Sequence, residues 1–240
     1  MRKVLLGSAA VAVFLGMLFA AAPAQAVGVS AGASTWYAWW SYTPDPGGDF
    51  KPGLLYGPVL GIDLAKQWSI TGVFLTGSLE DPMYKYRRYD SDTVVNYSIT
   101  RWMKIYGGLK YIRFDYNADG KQPAIFGSAD SSYRSMGPGG GIGFMLPLSD
   151  SLFAIVNLSG LYCFGKFKEP GTSDDARDIG YNVTAALAWH IASASTTLTL
   201  GGRYQYLDSQ YDTMKDYDSK TKFYGITFSA VYHFRTGDSE

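Results

Sequence analysis

The sequence predicts an all-β fold, a ten-stranded antiparallel transmembrane β-barrel in meander order. Three observations carry it: long segments of alternating apolar and polar residues, connections whose lengths also alternate, and an N-terminus built for export. Composition agrees. Charged residues make up 18% of the 240, below the roughly 25% of an ordinary globular chain. Aromatics reach 16%, and the 19 tyrosines outnumber the 13 phenylalanines, favouring rings that tolerate an apolar surface and a wet one together. Basic and acidic residues balance at 21 each, which argues against a nucleic-acid partner. A single cysteine excludes an internal disulfide framework.

At the N-terminus Arg2 and Lys3 precede an apolar stretch from Val4 to Ala22, followed by Ala24-Gln25-Ala26. This is the layout of a secretory signal peptide over residues 1–26, with cleavage between Ala26 and Val27, leaving 27–240 as one barrel domain. No later apolar run approaches 18 residues, so a spanning helix is not expected in the mature chain.

Ten segments then follow the two-residue period of a strand. The first, 27–42, runs from small residues into Trp36, Tyr37, Trp39, Trp40 and Tyr42. Segment 54–65 carries Asp63 on the face read as inward; 67–79 and 92–103 keep the alternation. Segment 104–116 points Lys110 and Phe114 inward. In 136–148 the odd-numbered glycines, Gly137 to Gly143, lie opposite Ile142, Phe144 and Leu146, leaving room inside a narrow barrel or letting the strand bend. Segment 151–164 points Phe153, Ile155, Asn157 and Leu161 inward. The clearest is 179–191, with Ile179, Tyr181, Val183, Ala185, Leu187, Trp189 and Ile191 on one face and small or polar residues on the other. Segments 196–208 and 221–234 repeat it, pointing Arg203 and Gln205 inward and Tyr224, Ile226, Phe228, Tyr232 and Phe234 outward. Leu187 and Phe228 are expected in hydrocarbon near mid-height.

The connections sort by end. Long ones span Thr43–Gly53, Glu80–Ser91, Asn117–Ser135, Lys166–Asp178 and Ser209–Lys220; short ones fall near Lys66, at Met103/Lys104, at Ser149-Asp150 and at Ala192–Ser195. A soluble sandwich has no reason to sort its loops this way, whereas a transmembrane barrel has short periplasmic turns and longer outer loops. The lipid dictates closure, since backbone groups in hydrocarbon need partners and a closed sheet leaves no edge.

On this plan, and on a last strand carrying Phe228, Tyr232 and a terminal aromatic at Phe234, the chain resembles the small single-chain bacterial outer-membrane β-barrels. The resemblance implies that the barrel-assembly machinery reads the terminal aromatic. It departs in the tail Arg235–Glu240, where many relatives stop at the aromatic. Some barrels of this size are hydrolases using histidine with aspartate or serine at the outer end. Here the two histidines, His190 and His233, each sit one residue before the periplasmic end of a strand, about ten residues from the outer rim at about 3.3 Å each.

Sites are therefore expected to be polar rather than catalytic. No catalytic residue, cofactor or metal site is assigned, and the function expected is a structural, surface-interaction or narrow-channel role. A small-solute pore is the alternative, and an outer-surface enzyme using loop carboxylates the third reading. Lumen polar residues are Asp63, Lys110, Asn157, Arg203 and Gln205, with Lys110 and Arg203 satisfied by Asn157, Gln205, water and Asp63 in a mostly occluded lumen; ions, if any pass, would be anions. Trp36, Trp40, Tyr84, Tyr86 and Tyr89 are read first as an interfacial girdle and second as a stacking surface for a sugar or other flat ligand. Asp90, Asp92, Asp208, Asp212, Asp216 and Asp218 are read as a solvated loop surface, with calcium bridging as the sharper reading. Gly160-Leu-Tyr-Cys-Phe-Gly165-Lys166 begins like a phosphate-binding loop, but Phe167 replaces its serine or threonine. Expected partners are outer-membrane lipid and lipopolysaccharide, the assembly machinery and a surface ligand of unspecified kind, with no nucleic acid.

Overall fold

The structure is a computed structural model that describes residues 28–43, 50–81, 85–117 and 131–234. The expected signal segment, with Ala26 and Val27, lies outside the described residues, as do Tyr84 and the tail. Ten strands form: β1 (Gly28–Thr43), β2 (Gly53–Ala65), β3 (Trp68–Glu80), β4 (Lys85–Ser98), β5 (Met103–Asn117), β6 (Ser132–Pro147), β7 (Leu152–Glu169), β8 (Thr172–Ile191), β9 (Thr196–Tyr211) and β10 (Ser219–Phe234). Each pairs antiparallel with its neighbour in sequence, and β1 pairs β10 from Val29↔Phe234 to Thr43↔Lys220, closing the barrel. The meander plan of the sequence is the one observed. Closure leaves no edge to satisfy in lipid.

Two of the expected long loops are strand instead. Lys166–Asp178 belongs to β7 and β8, 18 and 20 residues long, joined by Pro170-Gly171 with Gly171 at φ +83°. The charges that read as loop pair across the hairpin: Lys166 faces Asp175, Nζ to Oδ1 2.8 Å. Likewise Glu80–Ser91 is mostly strand, because β4 starts at Lys85 and the connection is only 81–84. Loop length therefore does not alternate without exception. What marks the outer end is strand extension beyond the lipid.

The outward face dates that extension. Along β8, Ile179, Tyr181, Leu187 and Trp189 are exposed, and charge begins at Arg177. Ile179 to Trp189 covers about 33 Å at about 3.3 Å per residue, or about 25 Å once the strand tilts by about 40°, the height of an apolar transmembrane band. Outward Arg87, Arg113, Arg134, Lys166 and Lys222 mark the same boundary on other strands. The band on β8 centres near Val183 and Thr184, so Leu187 lies below the middle. Aromatic pairs rim it: Trp39 stacks on Tyr224 above, and Trp68–Tyr97, Trp102–Phe144 and Tyr232–Phe234 sit below.

The glycine run has a steric cause. A Cβ on Gly141 would lie 1.9 Å from the Leu158 carbonyl oxygen, and one on Gly108 2.0 Å from that of Thr93. The neighbouring backbone approaches too closely at these two positions for any side chain.

Candidate functional site in the lumen

Inside the barrel, β4 supplies a face that the sequence reading placed in a loop. Its even residues point inward, so Tyr86, Arg88, Asp90, Asp92 and Asn96 follow one another down the lumen. Arg88 and Asp90 are buried, at 0% and 1% exposure. They are joined by an ion pair, Arg88 Nη2 to Asp90 Oδ2. Lys110, on the adjacent β5 and also buried, donates through Nζ to Asp90 Oδ1 and to Asp92 Oδ2, the latter at 2.9 Å. From across the barrel, Arg203 on β9 reaches Asp92 Oδ2 at 3.4 Å and Asp90 Oδ1 at 3.6 Å. Gln205 accepts from Arg88 Nη2 through Oε1, and Asn182 accepts from Arg203 at 3.4 Å. Three cations thus share two carboxylates, on strands from opposite walls.

Aromatic rings enclose this network. The Arg88 guanidinium carbon lies 3.9 Å from the Phe223 centroid, 5.2 Å from Trp36 and 5.6 Å from Phe114; that of Arg203 lies 4.5 Å from Trp36. Ring faces carry negative charge density, so they stabilise cations that burial has stripped of water. Toward the outer end, Trp40 stacks on Phe223 with centroids 6.0 Å apart and planes 7° apart. Phe50, from the first outer connection, packs edge-on against Trp40 at 4.9 Å, and Tyr86 does so at 5.4 Å. Tyr42 and Tyr86 donate to Asp81 Oδ2. The outer half of the lumen is a plugged core.

A second polar group lies on the opposite wall. Asp178 of β8 is buried and accepts from the Tyr133 hydroxyl at 2.6 Å, beside buried Ser135, Ser209 and Cys163. Above the band, Asp174 accepts from the backbone amides of Met214, Thr213 and Asp175, which holds its carboxyl below the usual range and ties the β7–β8 hairpin to the 212–218 connection.

The expected site residues divide accordingly. Lys110, Arg203 and Gln205 meet in the network. Asn157 faces inward beside Gly143 and Lys104, while the hydrogen bonds of Arg203 go to Asp92 and Asn182. Asp63 sits at the lower mouth beside Gly28, exposed and away from the cations. The aromatic surface reading is corrected: Trp36, Trp40 and Tyr86 are buried in the lumen, because the even residues of β1 and β4 point inward. Tyr89 faces outward, and the Arg113 guanidinium carbon lies 5.8 Å from its ring centroid. The loop reading of Asp90 and Asp92 is corrected too. The remaining acids do not converge: Asp208 faces Lys220, Asp212 pairs with Arg177 at 3.4 Å and Asp218 accepts from the Tyr211 amide. Gly160–Lys166 is strand β7 throughout, so the phosphate-loop likeness has no loop. His190 and His233 share the Thr197 hydroxyl at the lower rim, at 3.2 and 2.9 Å. Phe228, Tyr232 and Phe234 lie exposed on the outward face of β10.

No protein family matches the sequence, and no curated protein does. Solved structures match over most of their length. The outer membrane protease OmpT from Escherichia coli aligns with a TM-score of 0.52 at 12% identity, covering 86% of this chain and 97% of that one. Neisserial surface protein A gives 0.42 at 13%, covering 88% and 98%. The β domain of the Bordetella autotransporter BrkA gives 0.46 at 11%, covering 88% and 100%. At such identities the likeness is one of fold. The chain has the closed, antiparallel architecture of the small single-chain outer-membrane β-barrels.

Proposed function

We propose that the protein is a non-enzymatic barrel of the bacterial outer membrane, closed to solutes on its outer side and acting through its structure and its surface-exposed hairpins. The observation that carries this reading is the Arg88–Asp90–Lys110–Arg203 network beneath the Trp36, Trp40 and Phe223 plug, which fills the lumen where a diffusion pore would be open. Against a hydrolase stands the separation of residues. Both histidines lie at the lower rim, and the carboxylates near the outer end are committed to Arg88, Lys110 and Arg203 or to separate rim partners. Its likeness to a protease is one of fold, and fold does not carry function.

Purified mature protein in a planar bilayer should show no defined open steps. Stable steps would replace this reading with the small-solute pore. Residual leak should favour anions, because the network holds one more cation than carboxylate.

The signal-peptide layout of residues 1–26 in the sequence supports the assignment to the outer membrane. The mature chain should begin at Val27, and the assembly machinery should read β10 through Phe234. A cysteine placed at position 173, in the β7–β8 hairpin, should react with an impermeant reagent on intact cells, and one at 150 should not. Labelling at 150 would invert the topology.

A further inference from the structure

Around the outer rim, outward side chains on neighbouring strands mostly face opposite charges: Glu80 opposes Lys85, Arg87 opposes Asp115, Lys166 opposes Asp175, and Lys220 opposes Asp208. This is the arrangement that stabilises a sheet. Strands β5, β6 and β7 break it. Arg113 directly opposes Arg134, and Arg134 directly opposes Lys166, giving three cations in one row across three strands. Like charges facing each other destabilise a ladder unless an anion lies between them. Asp115 takes Arg113 Nε at 2.7 Å and Asp175 takes Lys166, so the outer two are partly compensated. Arg134, in the middle and exposed, has no carboxylate within 4.0 Å among the described residues.

Height and surroundings say what the anion is attached to. The next outward row toward the membrane is Tyr111, Met136 and Phe164, the last two strongly exposed at 56% and 63%. Cations therefore sit one step above an apolar shelf, where headgroup phosphates meet acyl chains. Strand spacing of about 4.8 Å puts Arg113 and Lys166 about 10 Å apart, a span that long side chains close around one phosphate. A guanidinium fork suits phosphate oxygens in particular.

We propose that Arg113, Arg134 and Lys166 form a binding site for the phosphate of a lipid headgroup in the outer leaflet, with Met136 and Phe164 packing against its acyl chains. The site rests on the membrane placement proposed above, but it is read by lipid binding and not by conductance, so either can fail without the other.

Purified mature barrel, folded in detergent, would be titrated with vesicles of phosphatidylcholine containing a phosphorylated glycolipid, and with vesicles containing its dephosphorylated form. The phosphorylated lipid should bind more tightly. Arg134→Gln should lower its affinity about fivefold, and the triple change of Arg113, Arg134 and Lys166 to Gln on the order of a hundredfold, as expected for about one unit of surface attraction per cation. Arg134→Lys should keep more of the binding than Arg134→Gln, and Lys222→Gln, on the far side of the rim, should keep all of it. Equal affinity for both lipids, or unchanged binding by Arg134→Gln, would overturn the proposal. Competition by inorganic phosphate at equal strength would assign the site to a free anion instead, and would overturn it too.

Discussion

Asp90→Asn should destabilise the folded barrel by about 3–5 kcal/mol, the cost of removing one partner from a buried ion pair. The carboxylate holds Arg88 through one oxygen and Lys110 through the other, and Arg203 approaches it at 3.6 Å. An amide keeps the shape and loses the charge. Arg88 would then have no carboxylate within 4.0 Å among the described residues, and Lys110 would be left to share Asp92 with Arg203. Rings over Arg88 soften the loss but do not replace it, since a cation–π contact contributes about 2 kcal/mol at most sites of this kind. Reversible urea unfolding in lipid vesicles measures the change. Asp212→Asn provides the comparison, because its pair with Arg177 is exposed on both sides and should contribute less than about 1 kcal/mol. A loss at Asp90 no larger than that at Asp212 would mean that the network is not the keystone of the lumen.

How far the site was legible in the sequence turns on strand β4. Arg87-Arg88-Tyr89-Asp90 reads as loop because adjacent charges rarely sit in a membrane strand, and the alternation is legible only from 92. The missed signal is spacing: Arg88, Asp90 and Asp92 stand two apart, so a strand puts one cation and two carboxylates on a single face, already complementary to Lys110 on β5. Buried charge needs partners, and a period-two run of opposite charges is how a strand supplies them. Trp36, Tyr37, Trp39 and Trp40 pose the converse difficulty. Both faces of β1 are aromatic there, so the residue types cannot say which face is inside. Only the phase carried up from Val29, exposed outward beside Ile62, settles it. The lower strands were legible because their outward faces are apolar and their inward faces small, a contrast that the lipid enforces. Above the lipid that contrast ends, and hairpin β7–β8 could not be told from a loop.

The lipid face gives a graded test of that phase. Leu158 points outward from β7, pairs with Val183 near the middle of the apolar band, and is 40% exposed. An arginine there should cost about 2–4 kcal/mol, because no water lies within reach of its guanidinium at mid-depth. Leu187 lies on the same outer face, only two residues above Trp189 on the lower rim. Its arginine can extend downward to the headgroups, so Leu187→Arg should fall toward the about 0–1 kcal/mol seen near the interface. Ala186, the adjacent residue, points inward above the rim where His190 bonds the Thr197 hydroxyl, and Ala186→Arg should carry no lipid penalty. Unfolding free energies should therefore be lowest for Leu158→Arg. A cost at Leu187 equal to that at Leu158 would move the band toward the lower rim, and a cost at Ala186 equal to that at Leu158 would mean that the faces of β8 are reversed.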